Sequence, residues 1–287
     1  MTIKCMNCGR PYPDDGAPYK CPKCGGLYDI GPLEYDPAQL DGTEPSLWRY
    51  RHTFWGIPAG YAPVSLGEGQ TALLWAQAFG RQVAFKCEYL NPTGSFKDRG
   101  STLIATFLKS RAVTSAVEDS SGNAGASFAA YAARAGIKAG IYIPAAASGP
   151  KRQQIEFYGA ELHPIEGPRS DVTAALETAV ASSSMAYASH AHQAVNIAGY
   201  ATAAYEIYEQ MGCAPGAVVV PAGQGGLLLG LYRGFDALRR AGLISHLPHI
   251  VGAQARACSP LWVLSTAGMS ALGFITEGQT LAEGVRI

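Results

Sequence analysis

A chain of 287 residues, 48% hydrophobic and 15% charged, can bury a sizeable core and is too apolar to stay disordered. Its 22 basic residues balance 22 acidic ones, which excludes a global field for nucleic acid or an anionic membrane surface. The opening MTIKCMNCGR holds no apolar run of signal-peptide length, and no stretch reaches the ~18 uninterrupted apolar residues of a membrane helix; a cytoplasmic protein with a small-molecule partner is expected.

Four of the seven cysteines fall in the first 24 residues, as Cys5-x-x-Cys8 and Cys21-x-x-Cys24. Two such knuckles can converge four thiolates on one tetrahedral zinc, and a glycine after each pair permits the turn. Four cysteines leave no open coordination position, so the metal is expected to be structural, stapling a zinc-ribbon-like segment over residues 1–33. Lys4, Arg10, Lys20 and Lys23 are a thin basic set for a DNA-reading ribbon. Cys87, Cys213 and Cys258 read as small core or loop residues.

From about Gly31 to Pro63 the chain is rich in proline and aromatics without clear periodicity, and reads as a linker wrapped onto the main body. Beyond it, apolar strand-like runs alternate with amphipathic helical ones. QVAFKCEYL is a predicted strand, KDRGSTLIATFLKSRA a helix, TSAVEDS a strand, and GASFAAYAARAG a helix closed by Gly136. KAGIYIP (strand), SGPKRQQIEFYGA (helix) and ELHPIEG (strand) follow. ATAAYEIYEQMG is a helix ended by Gly212; GAVVVP (strand), LLLGLYRGFDALRRAG (helix) and HIVGAQA (strand) close the series. This alternation predicts an α/β protein with parallel-rich sheets flanked by helices.

Three strand-to-helix turns carry chemistry. Gly223-Gln224-Gly225-Gly226 sits between an apolar strand and a helix; glycines admit a ligand close to the backbone, and a helix start offers free N–H groups to an anion. The bland reading is a tight turn needed only for packing. Ser120-Ser121-Gly122-Asn123 offers hydroxyls and an amide at a second helix start, where ordinary N-capping is the alternative. In CEYLNPTGSFKDRGS a turn at Asn91–Gly94 precedes Lys97, and Ser95 is the expected cap. The helix dipole there lowers the amine's pKa and favours its nucleophilic form, while the bland reading pairs Lys97 with Asp98. Together, a reactive lysine, a phosphate cradle and a Ser/Asn loop are what pyridoxal phosphate requires for its aldehyde carbon, its phosphate and its ring oxygen.

NPTGSFKDRG, SSGNAGAS and PAGQGGLLLG resemble the fold-type II pyridoxal-phosphate enzymes. With the N-terminal cysteines, SLGEGQTAL and TLAEGVRI, the chain is most similar to the threonine-synthase family, over about Val64 to Ile287. The resemblance implies that Lys97 bonds the cofactor and then acts as acid and base, and that Phe96 flanks the ring. Asn123 would bond the ring 3′-oxygen, Thr93, Ser120, Ser121 and Gly122 would line the substrate, and N–H groups from Gly223 to Leu227 would hold the phosphate. It also implies a larger cofactor domain (34–97 and 195–287), a smaller substrate domain (98–194), and a homodimer.

The implied reaction is lyase chemistry, turning O-phosphohomoserine and water into threonine and phosphate. Alternatives are a serine/threonine dehydratase, a diaminopropionate ammonia-lyase, a cysteine/cysteate synthase type, or a catalytically silent paralogue; cations at the distal substrate end, from Lys151, Arg152 and Arg169, would discriminate. Where the family carries Glu and Lys before its YEI helix, this chain has Ala198 and Ala201. The family also continues past Ile287, with a Ser or Thr that faces the pyridine nitrogen, so the expectation is a fragment or a short form completed by a partner. His190 and His192 in SHAHQ read as a solvent-facing loop, with a metal or substrate role as the alternative.

Overall fold

The computed structural model describes residues 2–120, 122–147, 149–274, 278 and 280–285. At the N-terminus, β1 (Ile3–Cys5) pairs antiparallel with β2 (Tyr28–Ile30), and the two cysteine knuckles lie beside this ribbon. The segment is fastened at several points. Arg111 donates to the carbonyls of Pro13, Asp14 and Gly16 at 2.7–2.9 Å, Lys20 reaches Glu177 at 2.7 Å, and Arg233 grips both Asp29 oxygens at 2.8 Å.

Part of the stretch expected to be a linker enters the core. Leu47, Trp48 and Tyr50 lie on a 3-10 turn (Leu47–Thr53) and are fully buried. The Trp48 indole N–H is held by Glu68 Oε1 and Thr102 Oγ1, at 3.0 and 2.9 Å. Short 3-10 geometry has no 3.6-residue stripe, so side chains anchored one by one leave no periodic trace in the sequence.

An antiparallel pair follows, β3 (Leu73–Ala78) and β4 (Arg81–Lys86). β4 ends earlier than predicted, because Glu88–Leu90 turns into a 3-10 segment that brings Glu88 to Arg99. Next come α1 (Lys97–Ser110), β5 (Ser115–Glu118), α2 (Asn123–Ala135), β6 (Lys138–Pro144), α3 (Pro150–Phe157), β7 (Glu161–Ile165), α4 (Arg169–Ala181) and β8 (Ala186–Tyr187). These strands form a parallel sheet in the order β7-β6-β5-β8. Gly136 closes α2 in the left-handed conformation, as predicted. α4 is absent from the predicted series, although Val172 and Leu176, four residues apart, are its buried side chains.

The rest comprises α5 (Asn196–Met211), β9 (Ala217–Pro221), α6 (Gly226–Arg240), β10 (His249–Ala253) and α7 (Pro260–Ala267). β9 and β10 pair in parallel, but the apolar run of β9 is not uniformly covered: Val220 is buried while Val219 is exposed. Among the described residues, no helix is long and apolar enough to cross a membrane.

α5 crosses α1 and α6 on small residues. A Cβ on Gly199 would lie 1.9 Å from the Arg99 carbonyl oxygen, and one on Gly234 would lie 2.5 Å from the Ala201 carbonyl oxygen. Gly199→Ala is therefore expected to cost about 3 kcal/mol, because backbone rather than a flexible side chain must move. Denaturant unfolding checks this; a loss under about 1 kcal/mol would mean the helices slide apart freely. Ala198 and Ala201 are buried on this helix, so the position where the family places a lysine lies within helix packing here.

Candidate active site

A cleft of about 960 Å³ opens where β5, β6 and β9 end, and Ser120, Pro144 and Pro221 line it. Ligands of open parallel sheets bind at such carboxyl ends, because the following helices point their N-termini there. α1, α2 and α6 all begin at the cleft; Ser95 caps the first as expected, its hydroxyl accepting from the Lys97 N–H at 3.2 Å, and the other two have no side-chain cap. Gly225 makes the entry to α6 with φ +86°, a conformation L side chains rarely adopt. A Cβ on Gly226 would stand 3.3 Å from the Tyr200 ring.

Phe96, Lys97, Gly122 and Asn123 line this cleft, as do Gly223, Gln224, Gly225, Gly226 and Leu227. Three predicted turns separated by up to 130 residues thus meet in one place. Lys97 Nζ lies 4.9 Å from the Phe96 ring centroid, and Phe96 packs edge-on against Tyr200 at 5.4 Å. Ser120 is buried, and its hydroxyl accepts from Gly122 N–H at 3.3 Å. Thr93, by contrast, does not line the cleft: it is buried, its N–H and hydroxyl both donating to Asp98, at 2.7 and 2.6 Å. Ser121 is outside the described residues.

The bland pairing of Lys97 with Asp98 does not form. Thr93 and Ser127 occupy Asp98, and Arg99 turns the opposite way into a buried cluster. Its guanidinium takes Glu88 at 2.7 Å and Glu206 at 2.6 and 2.8 Å, and Lys86 meets Glu206 at 2.6 Å. Two cations face two carboxylates, which fixes the start of α1 against α5 and leaves the Lys97 amine free of a carboxylate partner in its own turn. Burial lowers the Lys97 ammonium to about 8; Glu118 pulls the other way and Arg169 adds to the shift.

Sequence reasoning missed Glu118 and Tyr200, and placed His190 in a solvent-facing loop. The structure corrects the last reading: the His190 side chain is 14% exposed, lines the cleft and bonds Glu118 through Nδ1. His192 is also largely enclosed, stacked 6.1 Å from Tyr19 of the N-terminal segment. Lys151 and Arg169 line the cleft, whereas Arg152 turns to the Ala147 carbonyl and to Glu156.

Residues 64–287 match the family described as pyridoxal-phosphate dependent enzyme. The chain belongs to that family. It is 31% identical to a threonine synthase of Methanosarcina acetivorans, over 99% of this chain and 72% of the relative. It is 35% identical to a threonine synthase of Mycobacterium tuberculosis, over 80% and 64%, so it spans less than two thirds of the mycobacterial protein. Among solved structures, a pyridoxal 5'-phosphate-dependent aspartate racemase superposes with TM-score 0.66 at 25% identity, over 75% of this chain and 67% of that one. A threonine deaminase from T.th. gives 0.65 at 28%, over 76% and 70%. The fold is that of these α/β enzymes, and the residues around Lys97 fit the family's cofactor: a half-buried amine of lowered basicity, three helix starts opening on one cleft, and a glycine turn whose Gly225 takes the left-handed backbone.

The four N-terminal cysteines also converge. Their sulfurs lie within 4.8 Å of one another, with Cys5–Cys24 at 3.5 Å and Cys8–Cys21 at 3.8 Å. A zinc tetrahedron with bonds of ~2.3 Å has edges of about 3.8 Å, so the donor set fits that ion.

Proposed function

We propose that this chain binds pyridoxal phosphate through Lys97 and acts as a lyase of threonine-synthase type, taking O-phosphohomoserine and water to threonine and phosphate. The observation that carries the reading is the meeting of Lys97, Asn123 and the Gly223–Gly226 turn in one cleft. Pyridoxal phosphate, when bound, supplies an electron sink for charge developing at the substrate's α-carbon. Lys97, half-buried and of lowered basicity, takes and returns protons at the substrate carbons. The N–H groups opening α6 hold the cofactor phosphate, Asn123 its ring oxygen, and Phe96 one ring face. Ser120 and Gly122, which line the cleft, receive the substrate carboxylate end.

Two cations at the cleft, Lys151 and Arg169, favour a substrate with a distal anion over the serine or threonine of a dehydratase. Purified protein with added cofactor is reduced with borohydride and mapped by peptide mass, then offered O-phosphohomoserine, serine, threonine and diaminopropionate. An adduct at Lys97 with phosphate release from the first substrate supports the reading. Ammonia release from the others alone would move it to the dehydratase or ammonia-lyase class. A homodimer and a cytoplasmic location go with the same reading.

We assign a structural zinc to Cys5, Cys8, Cys21 and Cys24. About one zinc per chain is expected, and Cys8→Ser or a strong chelator should release it together with the Arg111 and Lys20 fastenings. Protease digestion reads this as new cleavage within residues 2–33; an unchanged digest after metal loss would show that the segment folds without it.

A further inference from the structure

Glu118, whose side chain is fully buried at the end of β5, and His190, which faces the cleft, have no part in the chemistry proposed so far. The two are in direct contact. His190 Nδ1 meets Glu118 Oε1, and the His190 backbone N–H donates to Glu118 Oε2 at 3.3 Å. Asn196 pins the turn by donating to the His190 carbonyl at 2.6 Å. With Nδ1 taken, the other ring nitrogen is left for the cleft, which Gln224 of the glycine turn also lines.

Resting on the proposed lyase reading, we propose that Glu118 and His190 form a proton relay to the Gln224 side of the cleft, supplying the leaving group independently of Lys97. Burial, aided by the charge on Asp119, pushes the Glu118 carboxyl up toward its protonated form, against Arg169 and Lys97. Burial and the cations of Lys97 and Arg169 keep the His190 ring neutral. The groups facing the pair are thus Lys97 from α1, Asp119 beside it, Arg169 from α4, Tyr187 from β8, Tyr200 from α5, His192 from the same turn and Gln224. A protonated Glu118 donates to Nδ1, so the ring's own hydrogen sits on Nε2.

The step balances. As the Cγ–O bond breaks, its electron pair leaves with the phosphate oxygen, which takes the Nε2 proton while the Glu118 proton moves onto Nδ1. Glu118 is then a carboxylate beside the charges of Lys97 and Arg169. When water adds its oxygen at Cβ, its proton goes to Nε2 and the Nδ1 proton returns to Glu118. Lys97 moves the carbon-bound protons throughout, so the two devices do not compete. A surface histidine would need no such backing.

The test uses two readouts on the full chain. Imidazole nitrogen NMR, assigned by loss of signal in His190→Asn, is expected to show His190 as the Nε2–H form with no titration near the ordinary value of about 6.5. Glu118→Gln keeps a hydrogen-bond donor to Nδ1 but cannot ionise. It should lower kcat about 100-fold with KM within about threefold and Lys97 still loaded by borohydride mapping. An Nδ1–H form, a His190 that titrates like a free imidazole, or a loaded Glu118→Gln protein of near wild-type kcat overturns the relay. Wild-type protein that does not load at Lys97 or releases no phosphate overturns the proposed function instead, and the nitrogen spectrum still decides whether the relay's proton arrangement exists.

Discussion

Lys97→Ala is expected to abolish the borohydride-trapped cofactor adduct and to lower phosphate release from O-phosphohomoserine by about 10⁴-fold or more, since the proposed function makes one residue both the attachment point and the acid–base group. The environment makes the wild-type amine unusually reactive. Burial lowers it to about 8, so about a tenth of the amines are neutral at pH 7, against about 0.03% for an ordinary lysine. Labelling of Lys97 by an acylating reagent, followed by peptide mass against pH, should show a midpoint near 8. A midpoint above 10 would mean that the amine is solvated and that its setting does no chemical preparation.

Arg99→Ala should be the most destabilising single change at the site, costing about 3–5 kcal/mol, because it leaves Glu88 and Glu206 facing each other with Lys86 as the one remaining cation of the quartet. Burial opposes the charge on Glu206, but Arg99 and Lys86 outweigh it and hold the carboxyl at about 2. A carboxylate whose folded pKa is depressed stabilises above its ordinary value near 4.5 and loses that contribution as the pH falls toward 2. Acid unfolding of the wild type should therefore be steep in this window, and the variant should already be weak at pH 7. Denaturant titrations at pH 7 and pH 3 check both statements. A variant as stable as wild type at pH 7 would show that the cluster only orders α1.

Much of the fold was legible because local chemistry dictates it. β6 runs from Lys138 to Pro144 as read from KAGIYIP, and Gly136 and Gly212 stop α2 and α5 where a left-handed residue is needed. The linker reading of residues 31–63 missed their buried part because Trp48 and Tyr50 are fixed individually on a 3-10 turn, not by a repeating stripe. α4 was passed over although Val172 and Leu176 carry a helical spacing.

By itself, the sequence determined the chemistry of three turns. Lys97, Asn123 and Gly223–Gly226 each follow a strand or tight turn and open a helix, and free N–H groups at a helix start are a local consequence of backbone geometry. Their spacing in the chain also carried the family. Only the tertiary structure decided what those turns face. Glu118 and His190 are 72 residues apart and Arg99 and Glu206 are 107 apart, and no short-range pattern records such pairings. Whether a charged side chain is solvated, paired or held neutral depends on the burial and partners that the packed fold provides. That is why a lysine at a helix start, a histidine in a loop and a glutamate at a strand end look ordinary along the chain and come together at one cleft in space.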